Sequence, residues 1–319
     1  EAPDLKNYVG PGRVLTIGDS SIYNDMMITT GWSKPEGFRS LKDSLSPNSN
    51  ILWGVDQAQV YAGRYLHRPA IGGSLLDETV TIDAQHATIS ALHLANMYAI
   101  GNVVSFLPLT APPALREAYH KKSADFAVTL YTNDEALPRA YTVHEATIAA
   151  TLKDAILTLR NPDFRVGSSV MLEQHEVKNN TFLSQLIEKQ PHTLRNTQAD
   201  HIAWQTDAHV RVDLAVTMAT PGLLVLADTH YPGWIATVDD KETPIFAANL
   251  SQRAIIVPEG THEVSFIYAP LTLRWGAIIS AISAIITALL MIALKRNVVV
   301  HTPKKAQKRA SHRPRTHRT

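Results

Sequence analysis

The chain of 319 residues has no cysteine, which excludes disulfides, thiolate metal sites and a cysteine nucleophile. Aromatic residues are sparse at 7%. None of the 14 histidines forms a His-x-x-x-His pair, the spacing that sets two metal ligands on one helix face. His201 and His209 lie near Asp200 and Asp207 at spacings that fit no common metal motif. Gly10-Pro11-Gly12 and Gly72-Gly73 do not run on into a lysine and a hydroxyl residue, so both read as turns and not as phosphate-binding loops. Residues Lys295 to Thr319 contain nine Lys or Arg and no Asp or Glu. With this tail removed, the body holds 30 − 9 = 21 basic residues against 29 acidic ones, a net charge of −8.

Only one long apolar run is present, the twenty uncharged residues from Trp275 to Leu294. As a helix it would be roughly 30 Å long, the thickness of a bilayer's hydrocarbon core. Arg274 and Trp275 suit one interface, while Lys295, Arg296 and the basic tail suit the cytoplasmic side under the positive-inside rule. The expected arrangement is therefore a cell-membrane protein with an extracytoplasmic body and a cytoplasmic tail. A juxtamembrane basic segment meets anionic lipid, whereas the acidic body and the absence of a recognition module argue against nucleic acid. Gly276, Ser280 and Ala284 recur every four residues and would allow another helix to approach closely. The start at Glu1 shows no basic segment followed by an apolar core, so the expectation is either a signal that has been removed or an upstream part whose helices carry the body across.

Arg13 to Ile17 and Asn102 to Leu107 read as strands, Ile89 to Tyr98 as a helix, Glu117 to Lys122 as a charged connection, and Phe126 to Tyr131 as a further strand. Helical patterns follow at Ala149 to Leu159 and Thr181 to Lys189. From Trp204 short alternating runs take over: Val210 to Met218, Gly222 to Ala227, Trp234 to Val238, Arg253 to Val257 and His262 to Tyr268. Strands at that spacing favour an antiparallel sandwich. The expected class is α+β: a mixed α/β unit over 1–195, a β-sandwich over 196–270, one transmembrane helix over 271–296 and a disordered basic tail over 297–319.

The segment Thr16-Ile17-Gly18-Asp19-Ser20-Ser21 invites comparison with GDS-type serine hydrolases, with Asp83-Ala84-Gln85-His86 and Asn133 as partners of Ser20. In those enzymes the Asp-x-x-His element follows the asparagine, whereas here His86 comes before Asn133. The segment is accordingly read as a polar turn. No residue is assigned as catalytic, cofactor-binding or metal-binding, and no cofactor is expected.

The densest stretch runs from Leu224 to Asn249, with Tyr231-Pro232-Gly233-Trp234 as a turn feeding an aromatic into a core and Val238-Asp239-Asp240-Lys241 as a hairpin. Together with Arg253-Ala254, Pro258 to His262, Phe266 to Pro270 and Leu137-Pro138-Arg139-Ala140-Tyr141, it resembles the C-terminal region of bacterial YfhO-family membrane proteins. Asp240 stands where that family usually has glycine. The resemblance implies a polytopic protein related to GT-C-type glycosyltransferases that use lipid-linked sugars, with its catalytic loop outside this chain. The chain would then be an accessory extracytoplasmic module. Its partners would be membrane lipid, upstream transmembrane helices of the same protein, and a lipid-linked sugar or envelope polymer. Trp204 and Trp32 are candidates to stack on sugar rings. The alternative is a non-enzymatic, membrane-anchored structural or partner-binding ectodomain.

Overall fold

The computed structural model describes residues 4–19, 50–58, 75–83, 86–122, 127–178 and 200–299, with positions 24, 28, 29, 31, 45, 180, 181, 183 and 184 between them, and side chains as far as 294. Ser20, Ser21, Trp32, Gly72-Gly73, most of the helix expected at 181–189 and residues 300–319 lie outside the described residues. The fold is mixed α+β, dominated by sheets. Residues 1–269 form one compact unit and residues 270–319 a second.

The chain enters through β1 (Arg13–Ile17), whose Leu15 and Ile17 face one core and Val14 another. It pairs in parallel with β4 (Ile100–Ser105), and both strands are almost wholly buried because both faces of this sheet are covered. Two further strands complete the layer, β6 (Leu115–Lys122) and β7 (Ala127–Asn133), in the order β1-β4-β7-β6. The charged stretch expected as a connection at 117–122 is thus an edge strand. Its polar, largely exposed side chains disfavour pairing with another chain. A small sheet joins β2 (Val80–Asp83), β3 (His86–Ile89) and β5 (Leu109–Thr110). The helix expected from Ile89 begins only at Leu92, as α1 (Leu92–Met97), because Ala87 and Ile89 are taken up in β3 and its core.

A six-stranded sheet follows, ordered β8-β13-β17-β16-β10-β9. It is built from β8 (Ala140–Val143), β9 (Glu145–Ala149), β10 (Ser169–Glu173), β13 (Gly222–Thr229), β16 (Phe246–Ala248) and β17 (Gln252–Val257). Opposite it lies a five-stranded sheet, ordered β11-β12-β18-β14-β15. Its strands are β11 (His201–Ala208), β12 (Arg211–Met218), β14 (Trp234–Val238), β15 (Lys241–Thr243) and β18 (Gly260–Tyr268). Leu224, Leu226, Ile255 and Val257 of the first sheet bury against Val212, Leu214, Val216 and Phe266 of the second. The other face of the six-stranded sheet buries Tyr141, Val143, Leu223 and Val225 in a separate core. Burial on both faces explains why β13 reads as an unbroken apolar run. Three strands of this sheet precede position 196, so the sandwich draws on both sides of the boundary placed there from composition. Their pairing with β13 and β16, far along the chain, leaves no local signal.

The amphipathic helix α2 (Leu152–Arg160) starts at a capping box in which Thr151 and Asp154 satisfy each other's backbone N–H groups. A short α3 (Gln174–Val177) follows β10. In the β14–β15 hairpin Asp239 and Asp240 both adopt positive φ, 49° and 62°. Two aspartates thus fill the doubly left-handed turn that matches strand twist, a conformation aspartate tolerates better than most residues.

The second unit contains α4 (Leu271–Val299). Within it Leu271–Leu294 is long and apolar enough to cross a membrane, and none of it is buried. The helix continues to Val299, past the 296/297 boundary expected for the tail.

Candidate functional site

Two irregularities in the sheets assemble the most concentrated polar structure in the first unit. In β13 the pairing with β17 slips between Leu226 and Thr229. The slip releases Ala227 and Asp228 from the ladder, as a bulge does. In β11 a second slip lies between Trp204 and Thr206. Trp204 and Asp207 are three residues apart and would face opposite ways on a regular strand. The slip instead sets them opposite Leu214 and Val212, both core-facing residues of β12, so they share a face.

Asp228 is the centre. Its Oδ1 accepts from Arg13 Nη2 at 2.6 Å and from Arg139 Nε at 2.8 Å. Its Oδ2 accepts from Arg139 Nη2 at 2.8 Å and Arg253 Nη2 at 3.0 Å. Those four bonds from three arginines fill the carboxylate's lone-pair sites. Burial pushes the Asp228 carboxyl up, but hydrogen bonding and charge from Arg139, with the charges of Arg13 and Arg253, outweigh it and hold the group below the usual carboxylate range.

The three arginines differ in their surroundings. Arg13 also donates through Nη1 to the Tyr98 and Ala227 carbonyls, at 3.0 and 2.7 Å. Arg253 is 2% exposed and lies 3.8 Å over the Trp234 ring. Its Nε and Nη1 have no hydrogen-bond partner. Burial, opposed by Asp228 and reinforced by Arg139 and Arg13, brings its pKa down to about 10. Arg139 turns its remaining Nη1 outward to both Asp207 oxygens, at 2.9 and 2.7 Å, and its guanidinium carbon is 5.1 Å from the Trp204 ring centre.

Arg139, Asp207 and Trp204 open on a cavity of about 800 Å³, within the range of small-molecule sites. Its lining also includes Arg116, bound to Asp134 through two bonds of 2.5 and 2.7 Å. The Gly10-Pro11-Gly12 turn contributes as well, and it packs on Gly101 so closely that a Cβ there would lie 2.0 Å from the Pro11 carbonyl oxygen. Gly12 has φ of +89°, so glycine is required at both places. Trp204 is 41% exposed, a partly open indole with the Arg139 guanidinium over its ring and Asp207 paired to that guanidinium. An aromatic plate flanked by fixed donors and acceptors suits a ligand with an apolar ring face and peripheral hydroxyls.

The hydrolase elements do not assemble in what is described. Asn133 Nδ2 donates to Asn96 Oδ1 and the Ile100 carbonyl, at 2.7 and 2.8 Å. It sits near the Arg13 end of its sheet and not the Ile17 end, since Arg13 pairs with Ile100 and Ile17 with Ser105. Asp83 and His86 face each other across the β2–β3 pair, and Ser20 is outside the described residues. Among the described residues, no cluster of three or more His, Asp or Glu is placed to hold a metal ion. His201 and His209 are exposed at the two ends of β11, while Asp200 pairs with His144 at 2.8 Å. Arg139 had been noticed only within a short family-like segment, and Asp207 only beside a histidine. Asp228 lies 89 and 215 positions from Arg139 and Arg13, a separation that no local pattern reveals.

No family profile, no curated protein and no solved structure matches the chain.

Proposed function

We propose that this chain is the membrane-anchored, extracytoplasmic ligand-binding module of a YfhO-like, GT-C-type sugar-transferring protein of the bacterial cell envelope. In this role it holds a lipid-linked sugar or an acceptor polymer while chemistry takes place elsewhere. The observation that carries the reading is the half-exposed Trp204 indole beside the Arg139–Asp207 ion pair in the lining of the cavity. A pyranose ring offers an apolar face for stacking and hydroxyls to hydrogen-bond the charged groups around it. The candidate span at Leu271–Leu294, followed by a tail with nine basic residues, supports an outward body.

The described lining contains arginines, aspartates, one asparagine and one threonine hydroxyl, donors and acceptors suited to a hydroxyl-rich ligand. Envelope glycosylation should fall in cells whose full-length protein lacks residues 1–270, and should fall to a similar extent with Trp204→Ala. Unchanged glycosylation in both strains would refute the accessory role.

A further inference from the structure

The outward face of the five-stranded sheet changes character along its length. Its row nearest the end of β18 comprises Arg211, Ile267 and Ile235, cross-strand neighbours by register. The next row holds Asp213, Ser265 and Thr237, followed by Ala215 with Glu263 and then Thr217 with Thr261. Ile267 and Ile235 are 37% and 39% exposed, and Val210, in the turn before β12, is 56% exposed. Val210 belongs to the same end, since its carbonyl accepts from the Tyr268 N–H at 2.9 Å. Two large aliphatic side chains therefore lie at one end of a face that is mostly polar elsewhere, with a third in the adjoining turn. At the same end, in the strand positions that alternate with Ile235 and Ile267, Trp234 and Tyr268 pack with Tyr231, with ring centres 5.2 to 6.2 Å apart.

We infer that this end of the sandwich, led by Val210, Ile235 and Ile267, rests in the interfacial layer of the lipid bilayer. The occupant follows from the chain itself. Ile267 precedes Leu271, the first residue of the candidate span, by four positions, and four residues reach at most roughly 14 Å. The patch thus stays close to the headgroup layer wherever the span enters. The interface is the environment that accepts aliphatic tips, amphipathic aromatic rings and an arginine together. Thr261, six residues back along β18, is roughly 20 Å farther along the strand, at the polar end of the same face. The inference does not depend on what the cavity binds.

Because the chain has no cysteine, single labels read the surface directly. Val210→Cys, Ile235→Cys, Ile267→Cys and the control Thr261→Cys would each carry an environment-sensitive fluorophore. The full chain would be reconstituted in phosphatidylcholine–phosphatidylglycerol vesicles containing a lipid-borne quencher. Blue-shifted, strongly quenched emission at the first three positions and neither effect at Thr261 is the expected result. Emission at all four positions matching that in water would overturn the inference. So would labels shielded from aqueous iodide yet untouched by the lipid quencher, since the patch would then be covered by protein.

Discussion

Arg139 grips Asp228 with two parallel bonds of 2.8 Å, from Nε to Oδ1 and from Nη2 to Oδ2. The same guanidinium holds Asp207 at the surface through Nη1. One side chain thereby joins a buried charge cluster to the cavity lining, and the position of that lining depends on the ion network behind it.

Removing the central carboxylate should cost more than removing one of its cations. Asp228→Asn leaves Arg13, Arg139 and Arg253 without their shared anion, a loss on the order of 3–5 kcal/mol. Arg253→Met relieves a repulsion and retires two unpartnered donors, so its cost should be clearly smaller. Urea unfolding of the full chain ranks the two variants, and the reverse order would contradict this electrostatic account.

Acid should weaken the fold through the same group. Asp228 is held below the ordinary carboxylate value in the folded state, so the unfolded chain takes up its proton first as pH falls. The stabilisation is complete above the unfolded value of about 4 and is lost as pH drops through the lower folded value. Asp200 acts in the same direction. Burial raises its pKa, but the Ala219 N–H, His144 and Thr142 more than compensate. Stability measured between neutral and strongly acidic pH should therefore have a steeper acid limb in the wild type than in Asp228→Asn.

His262 and Asp239 form an outer pair at 2.7 Å, and the aspartate raises the imidazole's pKa. The folded hairpin gains from this contact below the unfolded histidine value of about 6.5, and loses it as pH rises through the higher folded value. An NMR titration should place His262 above an ordinary histidine, and Asp239→Asn should return it toward that value.

The cap of α2 is separate from the site. Thr151→Ala removes the side-chain acceptor for Asp154 N–H, 3.2 Å away, and should cost about 1 kcal/mol. Thermal unfolding should show the loss, with ligand binding unchanged.

Much of the second half of the fold was legible because its strands are short apolar or alternating runs bounded by turn residues. Trp234–Val238 and Arg13–Ile17 appear at their expected limits. Local pattern misled where tertiary context decides. Ala87 and Ile89 fit a helical period but extend a small sheet, and Glu117 to Lys122 is charged because it forms an edge. The site was largely illegible. A bulge that turns Asp207 to the Trp204 face, and a carboxylate shared by residues 13, 139 and 253, are products of long-range pairing that one sequence does not display. Of the site residues, Trp204 is the one singled out from the sequence for a binding role, as an aromatic able to stack on a sugar ring.

The most direct test is calorimetric titration of the nanodisc-reconstituted chain with a panel of bacterial envelope oligosaccharides, beside Trp204→Ala. Saturable binding by the wild type is expected, weakened about tenfold in the variant, a difference of about 1.4 kcal/mol, with unfolding temperature unchanged. Equal affinity in the two proteins, or no binding by the wild type to any member of the panel, would contradict the account.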